Sequence, residues 1–149
     1  MISEARLREI VIGECDYFGI ADLGPVKEAV KAQAGLDVDR YPQAISIGIA
    51  LMDDIVDMLP HSQERWAAVS YRSHSYDVVN ARLDRMASIV ASELQRADHR
   101  ALPLPASLRV DDEKICALFS HKMAAHLAGL GWIGKSCLLI TPDRGPRVR

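Results

Sequence analysis

Residues 128–139 read AGLGWIGKSCLL, and the reading of this stretch decides the architecture around it. Gly129 to Ser136, GLGWIGKS, satisfies both the phosphate-loop pattern G-x-x-x-x-G-K-[ST] and the dinucleotide pattern G-x-G-x-x-G. Both motifs work only when a strand precedes the glycines and a helix follows, because the helix N-terminus and successive backbone N–H groups make the anion cradle. Here the order is reversed. Leu118, Phe119, Met123 and Leu127 recur at helical spacing before the glycines, and β-type CLLIT (137–141) follows them. The acidic residue that a dinucleotide fold places about 20 positions on is also missing. The sequence therefore excludes a nucleotide at GLGWIGKS. It predicts instead a helix C-cap at Gly129, further turns at Gly131 and Gly134, and Trp132 and Ile133 tucked back under the helix.

Working outward, PDRG (142–145) reads as a turn, and RVR (147–149) as the first residues of a strand returning beside 137–141. Upstream, Asp111 or Asp112 is placed to cap a helix that carries Ile115, Leu118, Phe119, Met123 and Leu127 inward and ends at Gly129. ALPLP (101–105) is an extended segment that its prolines confine to a sheet edge or loop. A helical pattern runs from about 62 to 97, with Val79, Leu83, Met86, Val90 and Leu94 on one face; its length predicts a break near Ser73–Ser75. Residues 53–59 make one or two helical turns, and AISIGIAL (44–51) reads as a buried central strand. Leu23-Gly24-Pro25 starts a helix that Gly35 stops. Ser3 caps a first helix through Leu7, Ile10 and Val11, and Gly13 loosens its end. The expected fold class is α/β (α+β), a mixed β-sheet flanked by helices in a single domain spanning 1–149.

The bulk numbers suit that picture. At 149 residues, 49% hydrophobic and 26% charged, the chain can bury a core as a soluble globular protein does. A net charge of −2 gives no global basic field for nucleic acid. Locally, Lys135, Arg144, Arg147 and Arg149 face only Asp143 at the end of the sequence, a cluster that suits either RNA phosphates or a solvated turn. No apolar run approaches the roughly 20 residues of a membrane span, and MISEARLREI carries no signal-peptide core, so no membrane is expected and cytoplasmic is the default. Cys15, Cys116 and Cys137 are far apart and form no metal-ligand spacing; no metal site is read from them.

The stretch SHKMAAHLAGLGWIGKSCLLITPDRGPRVR (120–149) resembles the signature of the N-terminal domain of epoxyqueuosine reductase and its shorter iron–sulfur relatives. FGIADL (18–23), YPQAISIGIAL (41–51) and Tyr71, Tyr76, Asn80 and Leu83 are similar in order and spacing. The resemblance implies a domain that forms one wall of a cobalamin and substrate pocket. It further implies a following ferredoxin-like domain with two [4Fe–4S] clusters, which feeds electrons to the cobalt. The natural substrate of the full enzymes is a modified tRNA nucleoside. On this reading the chain is truncated before its C-terminal ferredoxin-like 4Fe-4S domain, and the clusters belong to that missing region. Two departures point to a shorter relative instead of a true epoxyqueuosine reductase. The family's proton-donating Asp, thirteen residues before the Ala of AGLGW, falls on Ile115, which cannot donate a proton. The family's Glu six residues later falls on His121, and matching Asp111 or Asp112 needs a gap of three or four residues.

The candidate residues follow. His121 stands for a catalytic proton donor or cofactor contact, or for a helix residue bonded to a neighbouring loop. Lys122 and Lys135 stand for contacts to a phosphate, carboxylate, propionamide or RNA backbone, or for solvated charges. Gly129, Gly131 and Trp132 shape the loop, with Trp132 either stacked on a planar ligand or packed in the core. Tyr71, His74 and Tyr76 surround the expected helix break and line a pocket or lie half-buried. His126 lies ~140° around the helix from His121, so the two are no i,i+4 metal pair. The rival class is a non-catalytic module, either a small-ligand binder or a docking domain for a separate ferredoxin-like subunit. With a domain removed, the face near Trp132 and 137–149 is expected to expose apolar surface, and a homodimer through that face follows.

Overall fold

A computed structural model describes every residue except Met1, 108–112 and 114–116. The expectations placed on Asp111, Asp112, Ile115 and Cys116 lie outside the described residues.

The sheet begins with a strand the sequence did not announce. β1 (Tyr17–Asp22) pairs antiparallel with β2 (Gln43–Gly48), in a register that sets Tyr17 opposite Gly48 and Asp22 opposite Gln43. Gly19 sits in the middle of β1 because a Cβ there would come within 2.9 Å of the Ala128 Cβ. The missing side chain lets the end of a later helix lie directly on the strand. Past Gly48 the chain continues extended, and its other edge takes the end of the sequence. Ile49 and Arg149 exchange both backbone hydrogen bonds (2.8 and 2.9 Å), and the Leu51 N–H donates to the Arg147 carbonyl at 2.9 Å. RVR thus pairs as an isolated antiparallel bridge, Val148 opposite Ala50, and its partner is 49–51, not 137–141.

Helices cover both faces of this sheet. On one face lie α1 (Glu4–Val11) and the long α4–α5 run. The Ser3 hydroxyl accepts from the Arg6 N–H at 3.2 Å and caps α1, which buries Leu7 and Val11. α4 (Arg65–Arg72) passes through a π-helical turn (Ser73–Val78) into α5 (Val79–Arg96) without leaving the helical path. The break expected near Ser73–Ser75 is this wider turn. Its cause is visible in the pattern of inward residues: Ala67, Tyr71, Ser75, Val79 and Leu83 are spaced by four, and each such step drifts ~40° around an ordinary α-helix. A wide turn in the middle takes up the drift and keeps Ser75 (0% exposed) and Val79 (0%) facing the sheet. Leu83, Met86 and Val90 then pack with Phe18, Ile49 and Leu51 in one core. Between β2 and α4 stands the short α3 (Asp53–Asp57).

On the other face lie α2 (Lys27–Ala34), entered through a 3-10 turn at Gly24–Val26 and closed by Gly35 at φ 76°, and α6 (His121–Leu127). Ala21, Leu23, Val30, Val38, Phe119 and Ala124 form the second core there. α6 starts at His121 after a non-helical 117–120, so Leu118 and Phe119 precede the helix instead of lying on it. After α6 comes a small hairpin, β3 (Trp132–Ile133) with β4 (Leu139–Ile140), so only part of CLLIT is strand. The protein is a single α+β domain. Every strand pair among the described residues is antiparallel, so the mixed character expected of the sheet is not seen in them. Among those residues no helix is long and apolar enough to cross a membrane.

Candidate functional site

The glycine loop is built as a helix stop followed by a tight hairpin. At the end of α6 the Leu130 N–H donates to the Ala125 carbonyl and the Gly129 N–H to the His126 carbonyl, both at 2.9 Å, with Gly129 at φ 75°. This is a Schellman cap, which needs a left-handed residue at that one position. Gly131 answers a different demand: a Cβ there would overlap the Ile140 carbonyl oxygen and lie 3.0 Å from its carbon, so only glycine lets β4 come this close. Lys135, Ser136 and Cys137 then form a three-residue hairpin loop. The Cys137 N–H donates to Gly134 O at 3.0 Å, and the Gly134 N–H to Leu138 O at 2.9 Å. Cys137 takes the left-handed bulge position (φ 59°) that such loops usually give to glycine. Helix, glycines and a strand follow in the order the sequence predicts, but that strand pairs back onto Trp132–Ile133 and not onto 147–149. No helix N-terminus follows Ser136 among the described residues.

Two side chains of α6 hold the hairpin to the helix. Lys122 Nζ donates to the Cys137 carbonyl at 2.7 Å, and His126 Nδ1–H donates to the Gly131 carbonyl at 2.9 Å. The ammonium of Lys122 is thus spent on backbone. Lys135 at the loop tip is exposed. Around it stand Trp132, Ile133 and Leu138, exposed by 49%, 42% and 51%. Trp132 and Ile133 do not tuck under the helix; they face outward. The apolar surface expected near Trp132 is present.

The second candidate group lies in the α4–α5 layer, across the sheet from the hairpin. Tyr71 and Tyr76 meet edge to face with ring centroids 6.3 Å apart. The Met52 N–H donates to His74 Nε2 at 3.3 Å, so this nitrogen carries a lone pair and not a proton. Arg149 stacks its guanidinium 4.0 Å from the Tyr76 ring and donates from Nε to Asn80 Oδ1 at 2.8 Å. The π turn thus has an aromatic–guanidinium cluster at its edge, and Ser75 Oγ is buried without a hydrogen-bond partner inside it.

His121 stands apart from both groups. Its Nε2–H donates to the Pro105 carbonyl at 2.9 Å, which ties α6 to the 101–105 segment and fixes the tautomer, leaving Nδ1 as the acceptor. It is the one sequence-predicted site residue on the wall of the principal cleft, a space of about 760 Å³ along the outer edge of β2. Ile45, Ile47, Leu83, Val90 and Leu94 wall this cleft on the α5 side, Phe119 and Ala124 on the α6 side, and Arg149 also reaches it.

Sequence reasoning missed the partners of the terminal arginines. Asp53 accepts from Arg144 and Arg147, both at 3.1 Å, and Asp57 accepts from Arg147 at 2.7 Å. This pairing offsets the charge that suggested RNA phosphates; the signal was the acidic DDIVD run (53–57), read only as one or two helical turns after the strand. Tyr17 was missed as well. Its hydroxyl donates to Asp143 Oδ1 at 2.8 Å and lies 3.3 Å from Thr141 Oγ1. Partial burial pushes the Tyr17 phenol up, and the Tyr17 hydrogen bond holds the Asp143 carboxyl below its usual value. Among the described residues no group of three or more His, Cys, Asp or Glu stands together to hold a metal ion. Comparison with protein-family models, curated proteins and solved structures found no match.

Proposed function

We propose that this chain is the pocket domain of a cytoplasmic iron–sulfur redox protein related to epoxyqueuosine reductase, a shorter relative that does not turn over without its electron-supplying partner. The observation that carries the reading is the exposed apolar hairpin, with Trp132 and Leu138 on one face, Ile133 on the other and Lys135 at its tip. The residues most similar to the family signature are held in one geometry by Lys122, His126 and the Schellman cap at Gly129, yet their apolar side chains face solvent. A fold that uses a lysine, a histidine and three glycines to fix a hairpin, and then leaves its apolar side chains bare, has a use for it.

A corrinoid fits the chemistry of that platform: its ring offers an apolar face, and its rim offers amide carbonyls to an ammonium such as that of Lys135. Bound there, it supplies redox-active cobalt. Trp132 and Leu138, on the same face of the hairpin, would cover one face of the ring and exclude water, and Lys135 would orient the rim. The electrons come from a ferredoxin-like partner carrying the 4Fe-4S clusters, and the substrate class is a modified nucleoside. Visible absorbance tests the reading. The bands of cobalamin shift on titration with the chain, and Trp132→Ala with Lys135→Ala abolishes the shift. An unaltered spectrum refutes it.

The same platform also favours a second reading, a non-catalytic docking face for a separate ferredoxin-like subunit. In that case cobalamin leaves the spectrum unchanged, and a ferredoxin-like protein is retained by the wild-type chain and not by Trp132→Ala.

A further inference from the structure

The hairpin of residues 131–140 is stiff within itself and thinly fastened to the rest of the molecule. Inside it, β3 and β4 pair Trp132 with Ile140 and Ile133 with Leu139, and the Gly134 N–H donates to Leu138 O at 2.9 Å. A Cβ on Gly131 would lie 2.2 Å from the Ile140 carbonyl oxygen, and one on Gly134 would lie 2.5 Å from Ile140 Cδ1. Contacts that close leave the two strands no room to slide past each other. Toward the body of the fold the balance is reversed. No residue from 131 to 140 is buried, and Trp132, Ile133 and Leu138 are 49%, 42% and 51% exposed. The burial that fastens the other elements to the sheet fastens little here.

The chain is anchored on either side of this unit. Before it, the Leu130 N–H closes the helix cap on Ala125 O at 2.9 Å, and Leu130 Cδ2 lies 3.1 Å from where a Cβ of Gly19 would stand. After it, Thr141 is 1% exposed, exchanges both backbone hydrogen bonds with Gly145 at 2.9 Å and sets its hydroxyl 3.3 Å from that of Tyr17. Both anchors therefore rest on β1. The Leu130–Gly131 and Ile140–Thr141 links, where the hairpin leaves and rejoins them, lie side by side, since a Cβ on Gly131 would be 3.0 Å from the Ile140 carbonyl carbon and 3.3 Å from Thr141 Cα. Entry and exit at one place are the geometry of a hinge. The far end is held by Lys122, in the first turn of α6, whose Nζ donates to the Cys137 carbonyl at 2.7 Å. The His126 bond to Gly131 O sits at the joint, where a rotation moves it least.

We propose that the β3–β4 hairpin is a hinged flap, latched against α6 by Lys122, which swings as a rigid body about its links to Leu130 and Thr141. A unit with firm internal bonds and little buried surface parts from its neighbours as a whole before it unfolds. Glycine at one joint turns without a Cβ to strike the strand beside it. The latch is a charge-assisted bond between an ammonium and a peptide carbonyl, and Lys122 and Cys137 are both exposed, so water takes up both groups when it opens. Trp132 and Leu138 share one face of the hairpin and move together, so the flap carries that apolar face toward or away from a bound molecule without changing its shape. The device does not rest on the corrinoid reading; any ligand or partner that takes the Trp132 face meets it.

The test is NMR on the whole chain, wild type and Lys122→Met, which keeps the stem of the side chain and removes the donor. Relaxation dispersion reads motion on the microsecond-to-millisecond scale, and amide hydrogen exchange at Gly134 reads opening inside the hairpin. In Lys122→Met the Trp132, Ile133, Lys135, Leu138 and Leu139 amides and the Trp132 indole share one exchange rate, with an open population at least ~5-fold above wild type. The Leu130, Thr141 and Tyr17 amides show no dispersion, and hydrogen exchange at Gly134 stays within ~2-fold of wild type. A hairpin without dispersion in Lys122→Met, or with the same open population as wild type, overturns the proposal, because Lys122 then latches nothing. Dispersion that spreads to Leu130 and Thr141, or unrelated rates along the hairpin, overturns the hinge. Faster exchange at Gly134 overturns the rigid body, since the hairpin then frays instead of swinging.

Discussion

The three glycines of the 129–134 loop give different answers to the same substitution, and their ranking tests whether the loop is a folding device. Gly129→Ala places a side chain at φ 75° in open space, so it loses only the left-handed preference, about 1–2 kcal/mol. Gly134→Ala meets Ile140 Cδ1 at 2.5 Å, the far end of a side chain that can turn away for about 0.5–1.5 kcal/mol. Gly131→Ala has no such escape, because the obstacle is the Ile140 carbonyl, flanked by the Thr141 Cα at 3.3 Å. The hairpin strands must part. That adds about 1–3 kcal/mol of overpacking to about 1 kcal/mol for loss of the His126–Gly131 hydrogen bond. Urea unfolding followed by circular dichroism reads the global loss, and amide exchange at Gly134, whose N–H bonds to Leu138, reads opening confined to the hairpin. The expected result is that Gly131→Ala costs most by one or both readouts. If it stays within ~0.5 kcal/mol of wild type and leaves Gly134 protected, the close approach of β4 is not what selects glycine, and the account of this loop is wrong.

Four further outcomes follow from the same geometry. Cys137→Gly relieves a left-handed non-glycine residue and raises stability by about 1 kcal/mol in urea titration. Ser3→Ala removes the α1 cap and lowers stability by about 1 kcal/mol, with faster exchange in the first turn of the helix. Cys137, exposed, reacts with a maleimide before Cys15, whose thiol is pushed up by burial and then by the Asp16 charge; mass spectrometry of the partly labelled chain gives the order. The Tyr17–Asp143 pair shapes stability at both ends of the pH scale. Asp143, depressed in the fold, contributes stability above the usual carboxylate value of about 3.9 that is lost as pH falls below it; Tyr17, raised, contributes stability that is lost as pH climbs past about 10. Tyr17→Phe therefore flattens both limbs of a plot of melting temperature against pH, and unchanged limbs contradict the assignment.

Periodicity carried most of the helical layer. Val79, Leu83, Met86 and Val90 repeat on one face, and Ser3 and Gly35 mark helix ends by chemistry that is local and therefore readable. Even the π turn left a trace, since a run of inward residues four apart cannot stay on one face of a regular helix. β1 left none that stood out. Its apolar residues are broken by Gly19, and the reason for that glycine is the close approach of Ala128 from more than a hundred positions away. The pairing of 147–149 was hidden for the same cause: a short strand names no partner, and 49–51 competes with 137–141 only in three dimensions. Among the candidate site residues, identity was legible and use was not. Lys122, His121 and His126 look like chemistry in sequence, while in the fold each meets a backbone carbonyl whose position depends on how the loops turn. Trp132 reads as core by its composition, and only the tightness of the hairpin turns it outward.

The central claim is that the hairpin platform is the wall of a corrinoid site. Proton–nitrogen correlation spectra of the chain, recorded as cob(II)alamin is added, test it most directly, because the unpaired electron broadens the amides that lie near it. The account predicts loss of the Trp132 indole and the Gly131, Ile133, Gly134 and Lys135 amides, while the Tyr71–Tyr76 segment across the sheet stays sharp. Broadening centred on Ile45 and Ile47, or none at saturating corrinoid, contradicts it.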